Sequence, residues 1–276
     1  MKLPIILVCC ALGAYAQNSN SMQDSKLDVG GYRLQFHVVE GKSPAILFES
    51  GGGDDSSAWR EIVPAVASRT GAQLITYDRA GFGKSDLAPG QYSIIQEVEA
   101  LENGLRQLKV NGDLILVAHS YGGFLATLFA ARNPSRVKGL VLIDANLAAF
   151  FKDAVVEQLT VLQQGVLEQV KNDNHRIAAP LERLLAAFPE TVQTMREVSL
   201  PPNLRISDIV AEKALIPPPN EELGPGGAAW LRAHQEFDKA APNRRGVMAS
   251  GSGHIVMRDR PELVVDEIVA MFRTAE

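Results

Sequence analysis

The sequence predicts an α/β fold: a mostly parallel central sheet flanked by helices, with a helical insertion. Three observations carry this. Short apolar runs alternate with amphipathic stretches of helical spacing along most of the chain. Two of those runs, Leu114-Ile115-Leu116-Val117 and Leu140-Val141-Leu142-Ile143, are apolar without a polar alternate, as strands covered on both faces require. The alternation stops between about Leu147 and Asn203, where only helical spacing remains.

The N-terminus stands apart from the fold. Lys2, the apolar run Leu3 to Ala14 and Ala14-Tyr15-Ala16 form the pattern of a cleaved export signal. The run is shorter than the roughly 20 residues that a bilayer core takes. Cleavage after Ala16 would remove both cysteines, Cys9 and Cys10, so an exported, periplasmic or secreted protein without disulfides is expected. Val8, which is not small, disfavours the rival in which one of these cysteines is acylated. Residues 17–31 read as a polar linker.

The elements follow in order. Strands are expected at Tyr32 to Val39, at Ala45 to Glu49, and at Leu74 to Tyr77. Ser93 and Gln96 form a capping box before a helix whose Ile94, Val98, Leu101, Leu105 and Leu108 make one apolar stripe. Asp113 to Ala118 is a strand, Phe124 to Arg132 a helix stopped before Pro134, and Val137 to Ile143 a strand. In the insertion, 147–203, two stripes keep helical spacing: Leu159, Leu162, Val166 and Val170, then Leu181, Leu184, Leu185 and Phe188, with Pro180 and Pro189 as punctuation. The segment is either a cap or a scaffold lobe. Ile206 to Ala211 is a weaker strand, Ile216 to Gly227 a Pro/Gly-rich loop, Ala228 to Lys239 a helix and Arg245 to Ala249 a last strand. Pro261 opens a final helix, with Asp259 as its cap. The core is thus 32–146 and 204–276.

Composition excludes several classes. The chain has 276 residues, 46% of them hydrophobic, and a formal net charge of -5, which is incompatible with disorder as the main state. An acidic pI of about 5.6 and the absence of a Lys/Arg cluster speak against a nucleic-acid partner. No run after the N-terminal one reaches the length of a membrane span. With its two cysteines in the removable segment, the chain has no thiolate set for zinc or iron–sulfur binding.

The chemistry concentrates at Ala118-His119-Ser120-Tyr121-Gly122-Gly123, between a buried strand and a helix. A serine on a sharp strand-to-helix turn needs small neighbours. Ala118 and Gly122 leave room where the chain nearly touches itself, and Gly123 lets the helix approach the sheet. A serine hydroxyl becomes a nucleophile only with a base. Of five histidines, His254 follows the last strand in a Gly/Ser loop, on the strand-end edge where Ser120 lies. His119 points away from the serine and packs beneath the turn; His37, His175 and His234 read as core or surface histidines. Two backbone amides suit a developing oxyanion: that of Tyr121, at a helix N-terminus, and that of Gly52 in Ser50-Gly51-Gly52-Gly53.

Together Glu49 to Gly53, Tyr77-Asp78-Arg79-Ala80-Gly81-Phe82-Gly83-Lys84-Ser85, the Ser120 turn and Gly253-His254 resemble the α/β-hydrolase superfamily, in its lidded serine-hydrolase branch of esterases, perhydrolases and proline-iminopeptidase-like enzymes. The resemblance runs from about Tyr32 to Phe272. It implies a Ser–His–acid triad, no cofactor, no metal and a small-molecule substrate. Serine at position 120, where epoxide hydrolases and haloalkane dehalogenases normally carry a carboxylate, argues against those chemistries. Asp78 and Arg79 read as braces of a strand-end loop. Two positions depart from the family pattern. Ser50 stands where a histidine is usual, and the acid is absent from its commonest place, where Asp208, Glu212, Glu221 and Glu222 have no clean strand-end setting. Asp144, at the end of a buried strand, is the first choice for the acid and Glu212 the alternative. The expected activity is hydrolysis of small carboxylic esters with an apolar part. Amide, peptide or carbon–carbon bond hydrolysis on the same triad is the alternative within the class, and a non-catalytic ligand-binding protein the alternative outside it.

Overall fold

The computed structural model describes residues 22–213 and 222–276; the expected export signal with its expected cleavage position, both cysteines and Glu221 lie outside them. In chain order the elements are β1 (Met22–Asp28), β2 (Arg33–Val39), β3 (Lys42–Glu49), a 3₁₀ turn (Ser56–Trp59), α1 (Ile62–Thr70), β4 (Ala72–Asp78), α2 (Ile94–Gln107), β5 (Leu114–His119), α3 (Gly122–Arg132) and β6 (Val137–Ile143). There follow α4 (Asp153–Asp173), α5 (His175–Ala186), α6 (Phe188–Arg196), β7 (Arg205–Ala211), α7 (Ala228–Lys239), β8 (Arg244–Ala249), α8 (Val256–Asp259) and α9 (Pro261–Ala275).

Among the described residues eight strands form one sheet in the order β1-β2-β4-β3-β5-β6-β7-β8. The first two pairings are antiparallel and the rest parallel. The period of two sorts each central strand between two cores. Leu47, Leu116 and Leu140 face one side with α2 and α3; Ile46, Ile115 and Val141 face the other with α1 and α9. Because β3, β5 and β6 run parallel, their C-terminal ends share one edge, and Ser50, Ser120 and Asp144 all lie just beyond it.

Several expectations need correction. The expected linker 17–31 holds β1, which pairs with β2 from Met22↔Val39 to Asp28↔Arg33. Its side chains are mostly exposed, so backbone pairing forms this edge strand and no apolar pattern announces it. The strand expected at Ile206 to Ala211 does form, as β7, and it is buried between β6 and the edge strand β8. Ser93 does sit at the N-cap of α2 in extended geometry, but its side chain makes no capping bond; the Glu97 N–H reaches the Ser93 carbonyl at 3.0 Å. Asp259 does not cap α9. It ends α8 and its carboxylate accepts from the Gly253 N–H at 2.9 Å, while Arg260 takes the cap position. Pro180 sits inside α5, where its ring packs against Gly81 so closely that a Cβ there would lie 2.5 Å away.

The insertion is helical, as the spacing implies. Arg183 of α5 donates to the Ala88 carbonyl at 2.6 Å and Arg176 to that of Gly83, tying the helices to the loop that follows β4.

Candidate active site

Ser120 occupies the tight turn between β5 and α3 with φ +52°, a left-handed value that costs an L-residue energy. Neighbours hold it there. Its N–H donates to Ile143 and its carbonyl accepts from Gly123 and Asn146, at 3.1, 2.9 and 2.8 Å. The small residues act as the sequence requires: a Cβ on Gly122 would lie 2.6 Å from the Glu49 carbonyl oxygen, and one on Gly123 2.6 Å from Ala145 Cβ.

The structure brings Ser120, His254 and Asp144 into one line. Ser120 Oγ lies 3.0 Å from His254 Nε2, and His254 Nδ1 lies 2.7 Å from Asp144 Oδ2. A carboxylate accepts only, so Nδ1–H donates to Asp144 and the lone pair of Nε2 faces the serine hydroxyl. Asp144 is fully buried. Its second oxygen accepts from the Trp230 indole at 2.8 Å and the Ala211 N–H at 3.1 Å. Burial pushes the Asp144 carboxyl up, but the bonds from His254 and Trp230 outweigh it and hold the group below the ordinary carboxylate range.

Glu212 is placed elsewhere. Its carboxylate accepts from the Gly251 N–H at 2.6 Å, bracing the loop that carries His254 rather than the ring. Asp208 pairs with His234 in the interior at 2.7 Å, and Glu222 pairs with Arg232 at the surface. His37 bonds Asp24 at 2.7 Å. His119 lies beneath the turn. Its Nε2–H donates to the His254 carbonyl at 2.9 Å, and its ring centroid is 4.6 Å from that of His254. Burial, and then the neighbouring His254, push the His119 imidazole down to about 3, so it is neutral at working pH.

Gly52 and Tyr121 face each other across the mouth of the site: a Cβ on Gly52 would lie 3.4 Å from Tyr121 Cβ. Among the described residues neither backbone N–H has a hydrogen-bond partner. Asp78 closes its own loop through the Lys84 N–H at 2.7 Å and ties it to the turn after β3 through the Ser56 N–H at 3.0 Å, and Arg79 reaches the Gly51 carbonyl.

A cavity of about 500 Å³ opens on Ser120 and His254. Both stripes of the insertion line it, through Leu159, Val166 and Val170 and through Leu181, Leu184, Leu185 and Phe188. Sequence reasoning missed Trp230, which lines the same cavity and donates to Asp144. An indole on an amphipathic helix carries no local mark of the acid it will meet.

These features are those of a hydrolase, and the comparisons agree. The chain belongs to the α/β-hydrolase fold family, whose model matches residues 44–205. It is 34% identical over 236 residues to the uncharacterized protein YqjL of Bacillus subtilis, covering 83% of this chain and 85% of that protein. To a haloalkane dehalogenase of Sphingobium indicum it is 25% identical over 285 residues, covering 90% and 94%. In structure it is similar to a thermophilic esterase from Thermogutta terrifontis, with a TM-score of 0.59 at 21% identity, covering 92% of this chain and 99% of that one.

Proposed function

We propose that the protein is a serine hydrolase that cleaves small carboxylic esters with an apolar part. The observation that carries this is the Ser120–His254–Asp144 line, at 3.0 and 2.7 Å, opening on an apolar cavity. Ser120 Oγ attacks the ester carbonyl as its proton passes to His254 Nε2. The charge that develops on the carbonyl oxygen is held by the Gly52 and Tyr121 N–H groups. His254 then gives the proton to the departing alcohol, and water releases the acyl group by the same steps in reverse order of partners. Asp144 keeps the imidazole in the productive tautomer and offsets its charge.

The hydroxyl favours this reading over dehalogenation, despite the similarity to a dehalogenase. A serine hydroxyl that displaced a halide from a saturated carbon would be left as an ether that water does not cleave, whereas attack on a carbonyl leaves an ester that water releases. The helical insertion acts as the cap of the cavity. A fluorophosphonate probe and a panel of p-nitrophenyl esters of graded chain length, with aminoacyl anilides alongside, test the reading. Labelling of Ser120 and turnover of esters above anilides are expected. Folded protein that takes no label would sink it, and faster anilide cleavage would move the substrate class to amides.

The export signal belongs to the same reading. Its pattern predicts Gln17 as the first residue of exported protein. N-terminal sequencing of cell-fractionated material checks this; an intact Met1 or an acylated cysteine would overturn it.

A further inference from the structure

We infer that Arg79 is a positioning residue for the oxyanion hole, gripping the peptide that carries one of its two donors; this rests on the serine-hydrolase reading. Arg79 Nη2 donates to the Gly51 carbonyl at 2.5 Å. That carbonyl and the Gly52 N–H are opposite ends of one planar peptide unit. Fixing the carbonyl fixes the direction of the N–H. A clamp matters here because Gly51, Gly52 and Gly53 have no side chain to hold their backbone, and glycine peptides reorient more readily than others. Only one other bond restrains the carbonyl among the described residues, a weaker one from the Asp54 N–H at 3.2 Å.

The guanidinium is set up for this task and little else. It is buried, at 1% exposure, between the rings of Phe82 and Tyr121, with centroids 5.1 and 5.5 Å away. Among the described residues its Nε and Nη1 have no hydrogen-bond partner, and the nearest carboxylate oxygen of Glu97 stands 3.8 Å from Nη1. A buried cation that is paired so loosely is a poor stabiliser of the fold. Its one direct hydrogen bond among the described residues goes to the Gly51 carbonyl. A charged donor on the carbonyl also polarises the peptide, which makes the N–H at its other end a stronger donor.

The same network reaches the second donor. Glu97 accepts from the Tyr92 hydroxyl, and that hydroxyl lies 2.7 Å from the hydroxyl of Tyr121. Tyr121 supplies the other N–H of the hole. One largely buried chain, Arg79–Glu97–Tyr92–Tyr121, with Tyr92 partly exposed, therefore braces both donors from behind, without any of its side chains but that of Tyr121 lining the substrate cavity.

A donor that points correctly only in the transition state changes kcat rather than KM. Arg79→Met, which keeps length and loses charge, is expected to lower kcat about ten- to a hundredfold with KM within about threefold, less than the loss of a donor itself. Affinity for a boronic acid that mimics the tetrahedral state should fall in step with kcat/KM. Arg79→Lys should recover part of both. A loss confined to KM, or a folded Arg79→Met protein with kcat within about twofold of the parent, overturns the assignment. If neither Arg79 variant folds, Tyr92→Phe carries the test: a severalfold drop in kcat at constant KM supports it, and unchanged kcat overturns it. The unsubstituted protein separates the two levels of argument. If it neither takes the fluorophosphonate label nor turns over esters, the hydrolase reading fails; if it does both and the variants behave like it, only the role of Arg79 fails.

Discussion

At Asp144 three donors converge on two carboxylate oxygens: His254 on one, Trp230 and the Ala211 N–H on the other. An Asn there would satisfy Trp230 and Ala211 with its carbonyl oxygen and present an NH₂ to His254. The imidazole would then place its proton on Nε2, facing Ser120, and could not act as base. Asp144→Asn is therefore expected to lower turnover by several orders of magnitude, on the scale of the ~10⁴-fold of the equivalent serine-protease change. Glu212→Gln keeps an acceptor for the Gly251 N–H and should cost less than about tenfold. Rates for the two variants decide between the acids, and the reverse ranking would hand the role to Glu212. Ser120→Ala should abolish turnover with no loss of stability, since Ala and Ser suffer equally at φ +52°. Appreciable neutral-pH activity in that variant would remove Ser120 from its role.

Glu49, the last residue of β3, shows how an element end sets a pH dependence. It is fully buried and its oxygens accept from the Tyr77 hydroxyl at 2.8 and 3.1 Å. Burial pushes its carboxyl up from 4.5 to about 8, against the pull of Tyr77 and Arg79. The folded chain thus holds a proton that the unfolded chain releases. The contribution is fully present below about pH 4.5 and is lost as pH rises through about 8. Glu49→Gln should flatten the fall in urea midpoint over that window relative to the parent, and parallel profiles would refute it. Two glycines make a contrasting pair. Ala at Gly122 would put its Cβ 2.6 and 2.8 Å from two backbone oxygens that cannot yield, so α3 must shift; a cost of about 1–3 kcal/mol and a lower kcat are expected. Gly165, in the exposed face of α4, has nothing within 4 Å of the same atom, and Gly165→Ala should raise stability by about 0.5–1 kcal/mol. Thermal midpoints of both variants test the pair.

On the scale of the molecule, the sheet edge carries Ser120, His254 and Asp144, the proposed reacting groups, and the insertion lines the cavity above them with apolar side chains. Leu181 of α5 is buried, lines the cavity and comes within 4.0 Å of a Cβ placed on Gly53, so it stands over the glycine loop. Leu181→Trp fills that space. KM for long-chain esters should rise by about tenfold or more, near the ~1.4 kcal/mol that a lost methylene or two in an apolar pocket is worth, while acetate esters change little. An equal effect on all chain lengths would mean that the substrate does not run along α5.

The chain announces its own periods. Leu114 to Val117 and Leu140 to Ile143 are continuous apolar runs because parallel strands are covered on both faces, and the stripes of 159–170 and 181–188 mark one side of each helix. Glycines and Ala118 beside Ser120 mark a turn too tight for larger side chains, so the position of the proposed nucleophile was legible from local sterics. The strand-end place of Asp144 was legible for the same reason, though Glu212 stood as its rival. Tertiary structure decided the remainder. Strand β1 forms by backbone pairing of mostly exposed residues, and β7 is buried because β6 and β8 flank it. The contacts that single out Asp144, bind Trp230 to it and join Arg79 to Gly51 cross 110, 86 and 28 residues of chain. Local spacing encodes which way a side chain faces. It does not encode which distant group will be waiting there, because that depends on how the strands are ordered in the sheet.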